Sequence, residues 1–262
     1  MNELETRMKD QYENRYRILL PRRTYTIIRI DGRCFHSYTA SMARPFDVDL
    51  HDCLCLTAAA LCAEIQGACL GFTQSDEISI LLTDFHKPGT AAWFDGNLQK
   101  IASVSASFAT MRFNILAARC KLRSEAVFDA RAFIIPDPVE TENYFICRQK
   151  DATRNSISMA TQSVFSHKQL HQKNSNQMQE MLFGKGINWN DYPNWFKRGS
   201  AIVYEPGMDP LDSYWRADSL TPIFTADRNY LTSRVPRQWA EDAEGRQVTN
   251  SQCQDYGRQA EM

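Results

Sequence analysis

Two aspartates in this chain stand where they could share a divalent cation. Asp31 follows the apolar run TYTIIRI at residues 24–30, and Asp76 lies within GFTQSDEIS at residues 71–79. Two carboxylates brought close together repel each other unless a cation lies between them. Oxygen ligands of this kind suit Mg²⁺, which commonly binds one or two carboxylates together with substrate phosphates. The pair predicts a metal-dependent enzyme that acts on nucleoside triphosphates, although either aspartate alone is explained as well by a turn.

The residues next to each aspartate add candidate metal and phosphate ligands. Gly32 permits unusual backbone geometry, so its carbonyl is a further candidate metal ligand beside Asp31. Successive amides of the turn 33–36 could cradle phosphates. Ser75 could donate to a phosphate oxygen or merely stabilise its turn. Glu77 could support the metal site from behind or be an ordinary solvated strand residue.

The predicted elements explain how the two aspartates could meet. Strands are predicted at 24–30, 68–73, 77–82 and 128–135, and long helices at 49–66 and 93–113. Their order, strand–helix–strand–strand–helix–strand, is that of the ferredoxin-like split arrangement. This predicts an α+β fold in which the first strand lies beside the third, and the hairpin tip with Asp76 stands near Asp31.

The second half of the chain is more polar and carries the candidate RNA ligands. Residues 148–182 are compatible with helix, and an apolar run follows at 200–204. Arg148, Lys150 and Arg154 lie close together on the predicted helix, where they could contact phosphates. We divide the chain into a palm-like catalytic domain at 1–140, a helical and loop region at 141–235, and a polar C-terminal tail at 236–262.

Composition restricts the broad class. Of the residues, 43% are hydrophobic and 23% are charged, with a net charge of -1, so a nucleic-acid partner would need a local basic surface. No apolar run approaches the roughly 20 residues that span a bilayer, and the charged start has no signal-peptide core. The eight cysteines form no Cys-x-x-Cys pair, which favours reduced, buried side chains over zinc. We expect a cytoplasmic protein with no membrane partner.

Several segments together resemble the tRNA-His guanylyltransferase family, in particular its guanylyltransferase-like branch of 3′-to-5′ polymerases. The matching segments keep the family's order and are RIDGRCFH (29–36), ARPFD (43–47), GFTQSDEIS (71–79), AWFDGNLQKIASVSASFAT (92–110), FDAR (128–131), RQKDATRNSISM (148–159), FSHKQL (165–170), GINWND (186–191) and KRGS (197–200). DGR-x-FH together with QSDE is specific as a combination.

The resemblance implies a polymerase-like palm that binds two Mg²⁺ ions and uses ATP and GTP or other nucleoside triphosphates. It implies metal ligation by Asp31, the Gly32 carbonyl and Asp76, with Glu77 as the acidic neighbour in the catalytic set. The implied nucleotide-binding residues are Asp31, Gly32, Arg33, Cys34, Phe35, His36, Arg44, Ser75 and Asp76. The implied RNA-binding residues are Arg148, Lys150, Arg154, Asn155, Lys197 and Arg198. The family activates a tRNA 5′ end, adds a nucleotide to it, and usually assembles as a tetramer.

One departure from the family pattern bears on specificity. Eukaryotic members carry His-Ile-Asn-Asn where this chain reads Thr153-Arg154-Asn155-Ser156. This favours templated repair of tRNA 5′ ends over strict addition of one G to tRNA-His. Two other functions stay open: a nucleotidyl cyclase on a similar palm, and a non-catalytic RNA-binding module.

Overall fold

The computed structural model describes residues 2–87, 89–123, 125–207, 214–237 and the short strand pair at 240–241 and 247–248. The strands are β1 (Tyr25–Gly32), β2 (Ala68–Gln74), β3 (Glu77–Leu82), β4 (Phe128–Ile135), β5 (Ser200–Glu205), β6 (Tyr214–Ala217), β7 (Ala240–Glu241) and β8 (Gln247–Val248). The α-helices are α1 (Glu3–Met8), α2 (Phe35–Tyr38), α3 (Val48–Glu64), α4 (Leu98–Arg119), α5 (Pro138–Gln162), α6 (His167–Leu170), α7 (Ser175–Phe183), α8 (Asn194–Arg198) and α9 (Asn229–Thr232).

The main sheet confirms the predicted topology. Its order is β4-β1-β3-β2-β5-β6, and the pairs are antiparallel. The first four strands have the ferredoxin-like order, with β1 beside β3. In register, Asp31 lies opposite Glu77 on one side and opposite Asp129 on the other. The predicted strand bounds differ from those observed by no more than two residues at either end.

Helices cover both faces of the sheet because the strands alternate apolar side chains between two cores. Ile28 and Ile30 of β1 enter one core with α3 and α4. Tyr25 and Ile27 enter the other with Phe145 of α5. Such burial of both faces is typical of sheets with near-continuous apolar strands. α5 therefore lies over the face of the sheet that carries Asp31 and Glu77, a placement the site depends on.

Two predicted helices have different bounds. The helix predicted at 93–113 begins five residues later, because Phe94 and Asp95 are left-handed within a short 3-10 turn and Asn97 caps the N-terminus of α4. The helical stretch predicted at 148–182 is instead the end of α5 followed by α6 and α7. α5 itself begins at Pro138, capped by Asp137, whose side chain accepts from the Glu140 amide.

Among the described residues, Leu98–Arg119 is the one helix whose length and composition would allow it to cross a membrane. Ile101, Ala109 and Phe113 of this helix are buried in the core that α3 and the sheet share. We therefore interpret α4 as a core helix.

The second half of the chain extends the same sheet, since β5 pairs with β2 and β6 with β5. The division at residue 140 stays a prediction. Most of the tail predicted at 236–262, including Cys253, lies outside the described residues.

Candidate active site

The β2–β3 hairpin brings Asp76 to the end of β1. Gln74 and Glu77 close the hairpin opposite each other, and Ser75 turns the chain with a φ of 51°. The amide of Gly32 donates to the backbone carbonyl of Asp76 at 3.2 Å. The hairpin turn and this backbone hydrogen bond therefore bring Asp31 and Asp76 to one edge of the sheet, as predicted.

The two aspartates repel each other where they meet. The pKa of Asp76 is raised to about 6, first by burial and then by the negative charge of Asp31, while a hydrogen bond from Ser75 acts in the opposite direction. The compensation near Asp31 is weak: the Arg131 guanidinium lies 4.0 Å from its carboxylate and is itself 56% exposed. A partly desolvated carboxylate beside a second carboxylate favours a cation between them.

The donor set fits Mg²⁺ better than a softer metal. No group of three or more His, Cys, Asp or Glu side chains in the described ranges is placed to bind a metal, which leaves two carboxylates and a backbone carbonyl. Mg²⁺ characteristically takes few protein ligands and completes its shell with water and substrate phosphates. Asp31, Gly32 and Asp76 thus offer the small set of protein ligands that suits a Mg²⁺ ion bound together with a nucleotide.

The turn after β1 is shaped by close contact and positive φ. A Cβ at Gly32 would lie 2.2 Å from the ring of Phe35, so only glycine fits without displacing that buried ring. Cys34 is left-handed at a φ of 56°. The Arg33 amide donates to the Val127 carbonyl at 2.8 Å, so it cannot serve the predicted phosphate cradle. The amides of residues 34–36 are left as the candidates.

A cleft of about 430 Å³ opens beside the hairpin tip. His36, Arg44, Ser75 and Asp76 are among the polar residues that line it. Predicted nucleotide-binding residues from three separate segments therefore border one space, whereas Asp31, Gly32, Arg33 and Cys34 are not among its lining residues. Phe35 also lines it, although this ring is largely buried in the core.

The apolar wall of the cleft was not predicted from the sequence. It includes Met42, Phe46, His51, Met159 and Trp195. The rings of His51 and Trp195 stack with centroids 4.0 Å apart, and burial lowers the pKa of His51 to about 4. His51 lies on α3 and Trp195 on α8. Because spacing in the sequence does not relate these two helices, no local pattern indicates the stack.

Glu77 is not the solvated strand residue that was one of its two sequence interpretations, and its support of the metal site stays a prediction. It is 4% exposed and accepts from Arg29 of β1 at 2.7 Å and from Arg148 of α5 at 3.0 Å. Arg148 also binds Asp151 at 2.8 Å, and Asp151 in turn binds Arg154. We call these five residues the Glu77 network. Glu77 joins the hairpin to β1 and to α5.

Two predicted RNA ligands are buried and need correction. The Arg148 side chain is 11% exposed and already binds two carboxylates, so it is not an exposed phosphate ligand. Lys197 is 8% exposed, and its ammonium donates to the Asn190 carbonyl and lies over the Trp189 ring. Burial lowers its pKa, with Arg198 adding to the shift. Both cations satisfy interior partners.

The other predicted RNA ligands are more accessible. Lys150, Arg154 and Asn155 are exposed on α5, and Arg198 at the end of α8 is half-buried. Asn155 also lines the cleft and donates weakly to Gln74 at 3.5 Å. The structure therefore brings Asn155 to the cleft, while Lys150 and Arg154 lie on the outer surface of the same helix.

Comparisons with known proteins agree with this geometry. The family model described as tRNAHis guanylyltransferase matches residues 5–136. A solved bacterial tRNA(His) guanylyltransferase-like protein in complex with ATP is 48% identical, with a TM-score of 0.83 over 89% of this chain and 99% of its own. A structure of such a protein in complex with GTP is 47% identical, with a TM-score of 0.78 over the same shares.

A eukaryotic relative covers much of the chain at lower identity. The tRNA(His) guanylyltransferase of Saccharomyces cerevisiae is 28% identical over 206 residues, which is 71% of this chain and 84% of the relative. The family model spans β1, the hairpin and the helices α3 and α4. The chain belongs to the tRNAHis guanylyltransferase family of nucleotidyltransferases.

Proposed function

We propose that this protein adds nucleotides to the 5′ end of tRNA in the 3′-to-5′ direction, after ATP or GTP has activated that end. The observation that carries the proposal is the position of Asp76 and Asp31. They are two poorly compensated carboxylates that meet where the hairpin tip reaches the end of β1, and Asp76 also lines a cleft of about 430 Å³. The solved relatives bind ATP and GTP.

Asp31, Asp76 and the Gly32 carbonyl would hold two Mg²⁺ ions. Bound Mg²⁺ lowers the pKa of the attacking hydroxyl and neutralises the triphosphate charge. Arg44 and Ser75, which line the cleft, would bind the nucleotide, and the backbone amides of residues 34–36 would donate to its phosphates. The buried Phe35 ring fixes this turn. Because phosphoryl-type transfer depends mainly on positioning and charge compensation, no side-chain nucleophile is required.

The RNA would reach the cleft across α5. Lys150 and Arg154 are exposed cations on that helix, and Asn155 connects their surface to the cleft. Arg198 is a further candidate. From the family resemblance we also propose that the protein functions in the cytoplasm as a homotetramer.

We further propose that the added nucleotide is selected by the opposing base of the acceptor stem. Pairing would align the 3′-hydroxyl with the activated phosphate, and a misplacement of about 1 Å can cost roughly a hundredfold in rate. The test uses truncated tRNAs that differ only in the opposing base, each offered all four nucleotides. Choice of the complement supports templating, whereas choice of G for every template contradicts it.

One assay separates the activity from the two alternatives. A tRNA that lacks its first nucleotide and carries a 5′-monophosphate is incubated with Mg²⁺, ATP and one labelled nucleotide at a time. We expect a product longer by the complementary nucleotide and release of pyrophosphate. A cyclic product from GTP alone would indicate a cyclase. RNA binding without pyrophosphate release would indicate a non-catalytic module.

A further inference from the structure

Two cysteine side chains that are far apart in the sequence lie in contact between α3 and α4. Cys53 lies near the start of α3, and Cys120 is the C-cap residue of α4. Their sulfur atoms are 3.7 Å apart, although the two residues are separated by 67 positions in the chain. A disulfide requires the sulfurs to approach to about 2.05 Å. The pair therefore needs a shift of less than about 2 Å, within the reach of side-chain rotation and a small movement at the helix end.

The two thiols differ in their access to solvent. Cys53 is 1% exposed and belongs to the core that α3, α4 and the sheet share. Cys120 is partly exposed and packs against the same core. Burial raises the pKa of Cys53 to about 12, and the hydrogen bond with Cys120 adds to the shift. Because the thiolate is the reactive form, an oxidant would meet Cys120 first and Cys53 would react second.

We propose that Cys53 and Cys120 are a redox-sensitive pair that forms an intramolecular disulfide when the protein meets a low-molecular-weight disulfide. The Cys120 thiolate attacks one sulfur of that disulfide, which releases one thiolate and leaves a mixed disulfide on Cys120. Cys53 then loses its proton and attacks the Cys120 sulfur, which releases the second thiolate. Two protein thiols are oxidised by two electrons, and the small disulfide is reduced to two thiols. In a reducing compartment the pair stays as two thiols.

The pair lies behind the turn that follows β1. After burial, the charge of Cys53 is the next cause that raises the pKa of Tyr38, so these two side chains are near neighbours. The Tyr38 ring stacks on Phe35 with centroids 4.8 Å apart. The disulfide would therefore join α3 to the end of α4 beneath this aromatic packing. Neither cysteine lines the cleft, and the inference does not depend on the nucleotidyltransferase activity.

The disulfide would close residues 53–120 into a loop that contains the β2–β3 hairpin and the whole of α4. Closing a long loop lowers the conformational entropy of the unfolded chain and so stabilises the folded one. For a protein of this size we expect the thermal midpoint to rise by about 5–10 °C. Hydrogen exchange should slow in α3 and in the last turn of α4, because neither could then open without the other.

Oxidised glutathione is the probe, added to the full chain at mildly alkaline pH. Free thiols are then alkylated under denaturing conditions and located by peptide mass spectrometry. We expect the peptides of Cys53 and Cys120 to be recovered joined to each other, lighter than the reduced pair by two hydrogen atoms. The exposed Cys147 should carry glutathione instead. Dithiothreitol should reverse the cross-link and the rise in the thermal midpoint.

Variants separate the two steps of the reaction. Cys53→Ala removes the second thiol, so Cys120 should accumulate as the mixed disulfide with glutathione. In Cys120→Ser the buried Cys53 should stay reduced, and the oxidant should no longer raise the thermal midpoint. Each variant is compared with its own reduced form, so that lost core packing in Cys53→Ala does not enter the comparison. Cys147→Ser, at an exposed cysteine on α5, is the control and should keep the full rise.

Two results would overturn the proposal. The first is recovery of Cys53 and Cys120 as free thiols while Cys147 carries glutathione, since the oxidant was then active and the pair did not react. The second is an equal rise in the thermal midpoint of the wild type and of Cys120→Ser, which would assign the stabilisation to a different group.

Discussion

Asp76 and Glu77 are adjacent in the chain, but their carboxylates lie in opposite electrostatic surroundings. Asp76 is desolvated beside Asp31, which raises its pKa to about 6. Glu77 is buried more deeply, yet it lies 2.7 Å from Arg29 and 3.0 Å from Arg148. Within the described ranges Asp76 forms no ion pair, whereas Glu77 pairs with two guanidinium groups. The comparison separates a carboxylate whose charge is opposed by its surroundings from one that joins the hairpin to β1 and α5.

The first prediction removes the charge of Asp76 or of its neighbour Asp31 and has the largest expected effect. Asp76→Asn and Asp31→Asn should each reduce nucleotide addition by about a thousandfold or more, because the metal and triphosphate charges lose a carboxylate. Stability should hold or rise, since like-charge repulsion is relieved. Single-turnover addition and thermal unfolding measure the two effects.

Asp95→Asn, which changes a carboxylate exposed at 65%, is the control and should behave as the wild type. An Asp76→Asn protein that unfolds at the wild-type temperature and keeps wild-type addition at saturating Mg²⁺ would remove this residue from the active site.

The convergence of Asp31 and Asp76 was predictable because topology alone determines it. Strand periodicity and the order of elements place the hairpin tip at the end of β1, and no side-chain detail is needed. The start of α4 had a local signal that the helical pattern obscured: Asp95, Gly96 and Asn97 form a turn followed by a cap.

The position of Arg148 could not be predicted in this way. Its sequence context is that of a polar helix with several basic residues, which usually indicates a solvated surface. Its burial depends on how α5 crosses the sheet and faces Glu77, and this packing is not encoded by any short segment. The burial of Lys197 likewise depends on packing, because its partner carbonyl at Asn190 lies in a 3-10 turn that the fold brings next to α8.

The second prediction removes the charge of Glu77, which pairs with Arg29 and Arg148. Glu77→Gln should leave Arg29 and Arg148 without their shared anion, and removal of one partner from a buried pair typically costs about 3–5 kcal/mol of unfolding free energy. Chemical denaturation measures the loss. Glu205→Gln is a matched control, because Glu205 and Arg216 also pair at 2.7 Å but are exposed, where such pairs contribute less than about 1 kcal/mol.

If Glu77→Gln and Glu205→Gln lowered the unfolding free energy equally, the contrast between the two carboxylates would be lost. A Glu77→Gln protein of unchanged stability but abolished addition would instead place Glu77 in direct contact with the reaction.

The third prediction concerns His51, a partly buried imidazole whose pKa is lowered by burial and not by a charged neighbour. Its pKa is about 4 when folded, because burial disfavours the imidazolium, and about 6.5 when unfolded. The unfolded state therefore binds the proton first as pH falls. This contribution to stability is complete above about pH 6.5 and is lost progressively down to about pH 4.

Unfolding free energies of the wild type and of His51→Gln, compared across that window, isolate the contribution. We expect the wild type to lose about 1–3 kcal/mol more than the variant between pH 6.5 and 4. His171→Gln, a change of an exposed histidine, is the control. Parallel pH profiles for the wild type and His51→Gln would show that His51 is protonated equally in both states.

The fourth prediction concerns the outer end of the Glu77 network and has the smallest expected effect. Arg154 is 66% exposed and its partner Asp151 is shared with Arg148, so a phosphate could bind Arg154 without exposing a buried charge. Arg154→Gln should weaken tRNA binding several-fold and reduce the salt slope by about 0.9 for one lost phosphate contact. Arg123→Gln, at an exposed cation on the far side of the sheet from α5, should change neither quantity.

Arg148→Gln should mainly lower stability, because its guanidinium is enclosed by Glu77 and Asp151. Equal losses of RNA affinity without loss of stability in Arg148→Gln and Arg154→Gln would contradict the division of this network into a buried anchor and an exposed ligand.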